Sequence, residues 1–156
     1  MRIRVIAVGS RTPSWVRENC EDYAARLRSR LKLELLEIPA GTRGAQRDAP
    51  QALRLEAQRL LVALRAKEFV VALDEHGDEF STRELSAWLD ARRHAARDVA
   101  FLIGGPDGLA DEVLARADFK LSLSRLTLPH ALARVLLMEQ LYRAQSLLDH
   151  HPYHRD

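Results

Sequence analysis

Three short stretches of this chain gather groups able to do chemistry. The C-terminal run His150-His151-Pro152-Tyr153-His154-Arg155 sets imidazoles, a phenol and a guanidinium side by side. An imidazole titrates near neutrality and moves protons, while an aromatic ring next to an arginine can stack on a flipped nucleobase and grip its phosphate. Closely spaced histidines also raise a metal site. Zinc would want cysteine or several carboxylate partners that the tail lacks, so no metal is assigned. A tail without fixed structure is the plain alternative. The second stretch, Gly104-Gly105-Pro106-Asp107-Gly108, lets a ligand or another backbone approach closely, yet the same turn also serves as a structural connector. The third, Ser124-Arg125-Leu126-Thr127-Leu128-Pro129, is unusually apolar for a turn. Its backbone amides and carbonyls suit the edge of an adenine and its leucines suit the ring, although it also reads as a plain extension of a strand.

Other chemistries leave no trace. The first strand ends in Val8-Gly9-Ser10 without a G-x-G-x-x-G, and no Walker A sequence occurs. A hydrolase is disfavoured because there is no G-x-S-x-G elbow. Cys20 is the single cysteine, so no intramolecular disulfide forms. It shares helical spacing with Val16, Tyr23 and Leu27, which predicts a buried thiol.

These stretches need elements to hold them. Hydrophobic periodicity predicts strands at 2–8, 32–38, 69–73, 99–103 and 119–123. Helices are predicted from Thr12, read as an N-cap before Pro13, to about residue 30; through Leu53 to Leu64; after the capping box Ser81/Glu84; around Val113; and from His130 to Leu148. Strands alternating with helices imply an α/β fold with a parallel sheet flanked by helices, in one domain spanning 1–156. Ligands in such sheets bind beyond the carboxyl ends of the strands, which singles out Leu73-Asp74, the Gly104 turn and the Ser124 turn. The last helix carries apolar residues on more than one face, from Leu132 to Leu148, more than packing on one sheet requires. A homodimer is therefore expected, with full burial inside one chain as the alternative.

The totals are permissive. A chain of 156 residues buries roughly 70% of its unfolded surface and needs no staple. Net charge is +2, but Arg43, Arg47, Arg54, Arg59 and Arg65 crowd one stretch and Arg125, Arg134, Arg143 and Arg155 another, which permits an RNA partner without demonstrating one. No apolar run nears the ~18 residues of a membrane span, and the start reads as a strand, not a leader, so a cytoplasmic location without a membrane partner is expected.

Taken in order, Val5-Ile6-Ala7-Val8-Gly9, Glu37-Ile38-Pro39-Ala40-Gly41, Leu102-Ile103-Gly104-Gly105-Pro106-Asp107-Gly108, Leu126-Thr127-Leu128-Pro129-His130 and His151-Pro152-Tyr153-His154-Arg155 resemble, throughout the chain, the ribosomal large-subunit methyltransferase H group of the SPOUT class. The resemblance implies a SPOUT-type sheet with a C-terminal trefoil knot, which pattern rules alone argue against. It implies S-adenosyl-L-methionine held at Leu73, Gly105, Ser124, Arg125, Leu126, Thr127, Leu128 and Pro129, with a backbone contact at Arg125. The implied substrate is pseudouridine 1915, in helix 69 of large-subunit rRNA, methylated at N3; naked RNA and the assembled ribosome are both open as its form, and the modest net charge favours the composite surface of a ribosome. An imide N–H must lose its proton before it attacks a methyl group, so a base helps. His154 is the candidate, with Tyr153 and Arg155 placing or charge-stabilising the nucleobase, Arg143 contacting RNA, and the tail completing either its own site or, in a dimer, that of the other subunit. A non-catalytic RNA- or ribosome-binding module on the same scaffold is the alternative.

Overall fold

A computed structural model describes residues 1–28, 31–44 and 49–154. The order is β1 (Arg2–Val8), α1 (Ser14–Leu27), β2 (Lys32–Ile38), α2 (Ala49–Ala63), β3 (Phe69–Glu79), α3 (Thr82–His94), β4 (Val99–Ile103), α4 (Asp111–Arg116), β5 (Phe119–Ser122) and α5 (His130–Leu148). The strands form one five-stranded sheet in the order β2-β1-β4-β3-β5, and every neighbouring pair runs parallel.

A parallel sheet is covered on both faces, so its central strands are apolar on both sides. Along β1, Ile3, Val5 and Ala7 join one core, with Val71, Phe101 and Ile103. Ile6 and Val8 join the other, with Val70, Ala100 and Leu102. Helices α1, α3 and α5 cover the first face through Val16, Cys20, Leu85, Leu89, Leu137 and Leu141. Helices α2 and α4 cover the second through Ala57, Leu60 and Val113. Cys20 is buried as expected, and burial pushes its thiol up to about 11. The one charged side chain fully inside β1, Arg4, is neutralised by Glu68 at 3.0 Å and donates to the Ala63 carbonyl.

Local boundaries follow local chemistry. The Ser81/Glu84 capping box forms in both directions and starts α3. At α1, however, Pro13 is the N-cap and no side chain caps it; Thr12 instead reaches Glu37 at 3.5 Å. Strand β3 is longer than expected. After Leu73 pairs with Leu121, residues 74–77 leave the ladder, and Asp78 then pairs with the same Leu121. Gly77 permits the return, because a Cβ there would sit 2.7 Å from the Lys120 carbonyl carbon and oxygen. Periodicity could not foresee an arch of polar residues that rejoins its own strand.

Helix α5 lies between α1 and α3, and Leu137, Met138, Leu141, Tyr142 and Ala144 are buried within this one chain. Much of the apolar surplus expected to meet a second subunit is therefore spent inside the monomer. What stays exposed near its start is Leu132, with Leu126 just before it and Trp15 on α1. No helix is long and apolar enough to cross a membrane among the described residues.

Candidate functional site

At the carboxyl ends of β3, β4 and β5 the chain leaves the sheet three times, and the three exits surround one cavity of about 800 Å³. That volume is in the range of small-molecule sites. Leu73 and the arch Asp74-Glu75-His76 form one wall, the Gly104–Gly108 turn the second, and Leu121 to Pro129 with His130 and Ala133 the third.

Each wall has a local cause. Gly108 adopts φ +77, and its amide bonds the Gly105 carbonyl at 3.0 Å, which closes the second turn. Gly104 has no room for a side chain, since a Cβ would lie 2.3 Å from the Gly108 oxygen. In the third wall, Ser122 donates to the Ser124 carbonyl at 2.9 Å, and the Ser124 hydroxyl accepts the Leu126 amide at 3.0 Å. Serine hydroxyls often tie a tight turn in this way. Thr127 then donates to Glu75 at 3.1 Å and joins the third wall to the arch.

Of the residues expected to hold a cofactor, Leu73, Gly105, Ser124, Leu126, Thr127, Leu128 and Pro129 all line this cavity. Arg125 is exposed and its side chain is not part of the lining. The cavity combines apolar walls with the carboxylates Asp74, Glu75 and Asp107. Leucine surfaces suit an adenine ring, and the Asp74 and Glu75 carboxylates suit a cationic ligand, so this residue set fits an adenosyl sulfonium.

His130 was not expected as a site residue, although it closes the Leu126–His130 motif and follows Pro129 at a helix start. It faces the cavity, and burial first, then the charges of Arg134 and Arg43, hold its imidazole below the ordinary 6.5, against the opposing pull of Glu56. The side chain is therefore neutral at physiological pH.

The tail sits elsewhere. His150 takes φ 51, and the His151 amide bonds the Ser146 carbonyl at 2.9 Å, a left-handed cap that turns the chain back along α5. Tyr153 then packs edge-on against Tyr142 with centroids 4.5 Å apart, under the Arg143 guanidinium at 4.9 Å. Its hydroxyl donates to Glu139 at 3.3 Å, and Arg143 holds the same carboxylate at 2.8 Å. Burial, reinforced by a hydrogen bond with Tyr23, pushes the Tyr153 phenol up to about 12. None of Arg143, Tyr153 and His154 is among the residues lining the cavity. Arg143 lies ten positions beyond Ala133 along α5, a rise of roughly 15 Å. Arg155 lies outside the described residues.

Comparison with known proteins bears on the family and the fold. The family described as "Predicted SPOUT methyltransferase" matches residues 1–154. A protein of Pseudomonas fluorescens named "Ribosomal RNA large subunit methyltransferase H" is 52% identical over 155 residues, covering 99% of this chain and 100% of that protein. Proteins of the same name from Pseudomonas putida and Ectopseudomonas mendocina are 50% and 49% identical over equal spans. Among solved structures, a "probable methylase family protein" from Haemophilus influenzae aligns with a TM-score of 0.56 at 15% identity, covering 99% of this chain and 70% of that one. A "Probable Methyltransferase" from Bordetella pertussis aligns at 0.55 and 22% identity, covering 92% and 94%; both likenesses speak to the fold. With a family match over nearly its whole length and relatives half identical to it end to end, this chain belongs to the SPOUT methyltransferase family.

Proposed function

We propose that this protein is a cytoplasmic S-adenosyl-L-methionine-dependent methyltransferase of large-subunit rRNA, acting on N3 of a pseudouridine in helix 69 within an assembled ribosome. The observation that carries the reading is the convergence of the arch after Leu73, the Gly104–Gly108 turn and the Ser124–Pro129 turn on one cavity. The half-identical relatives named as rRNA methyltransferases support the substrate class. Bound in the cavity, S-adenosylmethionine supplies an electrophilic methyl group to a nucleobase nitrogen that has lost its proton.

The protein's own residues then have separable tasks. Leu73 and Leu128 exclude water around the cofactor, and the backbone of Gly105 and of the Ser124–Pro129 turn reads the adenine edge. His154 accepts the N3 proton, Tyr153 and Arg155 place the nucleobase, and Arg143 meets RNA phosphate. Arg143 and Tyr153 pack away from their own chain's cavity. This separation supports a homodimer in which each tail completes the partner's site. The apolar residues Trp15, Leu126 and Leu132, left exposed, suit the shared face. A C-terminal trefoil knot belongs to the same proposal.

Transfer of labelled methyl from S-adenosylmethionine to ribosomes, isolated subunits and naked rRNA, followed by mapping of the modified nucleotide, tests the whole reading. Methylation of pseudouridine N3 in assembled ribosomes is the expected result. Titration calorimetry showing no cofactor binding, with no transfer to any RNA, would overturn it. For the base, His154→Ala is expected to slow transfer on saturating ribosomes by about a hundredfold or more; full rate in that variant would remove the role.

A further inference from the structure

The Glu37–Gly41 segment was singled out by its sequence, yet nothing in the reaction above uses it. In the structure it leads into a charged network directly against one cavity wall. Glu56 of α2 is 1% exposed. Its carboxylate accepts the Gly41 amide at 2.8 Å and two Arg43 nitrogens at 2.7 and 3.3 Å. Gly41 lies so close on α2 that a Cβ would meet the Ala52 Cα at 2.5 Å. Arg43 also spans outward, its Nε donating to Asp107 at 2.8 Å in the Gly104–Gly108 turn. On the inner side, a Cβ on Gly105 would lie 3.2 Å from the Glu56 carboxylate, so the turn rests on the same group. The two carboxylates hold the Arg43 guanidinium above its ordinary range, the Glu56 hydrogen bonds first.

A buried carboxylate needs a counter-charge, and one arginine fork meets that need. The arm to Asp107 does not serve it, because Asp107 is exposed and loses little in water. What that arm does is tie the cavity wall to α2 and to the end of β2. A more deeply buried pair, Arg4–Glu68, lies in β1 and before β3 and reaches no residue of the cavity. We propose that Arg43, anchored on Glu56, is a positioning residue that fixes the Gly104–Gly108 wall through Asp107 in the geometry that binds the adenosyl cofactor. This rests on the cofactor reading of the cavity above.

The test is titration calorimetry of S-adenosylmethionine into the full chain, with melting followed in parallel. Arg43→Ala and Asp107→Asn are each expected to raise Kd about tenfold, and the double variant little further, since both break one link. Arg43→Lys keeps the charge on Glu56 but not the fork, so it holds the fold while still weakening binding. In the transfer assay, KM for the cofactor rises while kcat at saturation changes by less than about twofold. Glu68→Gln is the control: it lowers the melting temperature and leaves Kd unchanged. If folded Arg43→Lys and Asp107→Asn both bind as wild type does, the proposal fails while the cofactor reading stands. It fails equally if Glu68→Gln weakens binding as much as they do. Absence of binding by the wild type brings down the cofactor reading and this proposal with it.

Discussion

At the scale of single residues, two side chains at the start of α5 tie the site to the fold. His130 faces the cavity and Arg134, one turn on, is 1% exposed beneath it. Arg134 bonds Glu37 and the carbonyls of Val8 and Gly9, the last two at 3.2 and 3.0 Å. It thereby anchors the helix that follows the Ser124–Pro129 turn to the ends of β1 and β2. Replacing it with methionine strands those acceptors, and urea unfolding is expected to show a loss of about 3 kcal/mol. His130 carries a pH dependence. Its folded imidazole titrates below 6.5, so between the two values the unfolded chain binds more protons than the native one. Stability at this residue is thus intact above 6.5 and is lost as pH falls below it. The melting temperature of the wild type is expected to drop more steeply than that of His130→Gln between about pH 7 and pH 5; parallel curves would show that His130 titrates normally.

At the scale of elements, the glycine turn after β4 is the least replaceable part of the cavity. A methyl on Gly104 would press to 2.3 Å from the Gly108 oxygen, which is backbone and cannot swing aside. Gly104→Ala is therefore expected to open the turn, costing about 2 kcal/mol or more in unfolding experiments and abolishing measurable cofactor binding. Serine or alanine at Gly44, where a Cβ meets nothing within 4 Å, is the matched control and leaves both unchanged. The arch in β3 shows why element boundaries were harder to foresee than element types. Residues 69–73 declare a buried strand by their run of apolar side chains. The return at Asp78 and Glu79 depends on Gly77 fitting against the β5 backbone, a contact 43 residues away in sequence, between Gly77 and Lys120.

At the scale of the whole molecule, the cavity and the tail cluster occupy different parts of α5, and the proposed homodimer brings them together. That arrangement has a distinctive consequence. A chain lacking 150–156 supplies a sound cavity, and a Gly104→Ala chain supplies a sound tail. Each alone is expected to be inactive, whereas co-purified heterodimers recover methyl transfer at one of their two composite sites. Failure of the mixed dimers, with subunit exchange confirmed by native mass spectrometry, would show that each tail serves its own chain. The exposed Leu126 and Leu132 make the same interface testable by sedimentation.

The sequence by itself determined the alternation of strands and helices, the capping box at Ser81, the burial of Cys20 and the three turns expected to meet a ligand. All of these depend on periodicity, local propensity and the rule that parallel sheets bind at their carboxyl ends. Through its motifs it also identified the family. Only the tertiary structure decided that Arg43, Glu56 and Asp107 meet, that His130 faces the cavity beside Arg134, and that the tail folds back on Tyr142 rather than onto its own chain's cavity. Charges and rings distant in sequence carry no periodic signal. Their partners are chosen by which strands lie side by side and how the helices cross them.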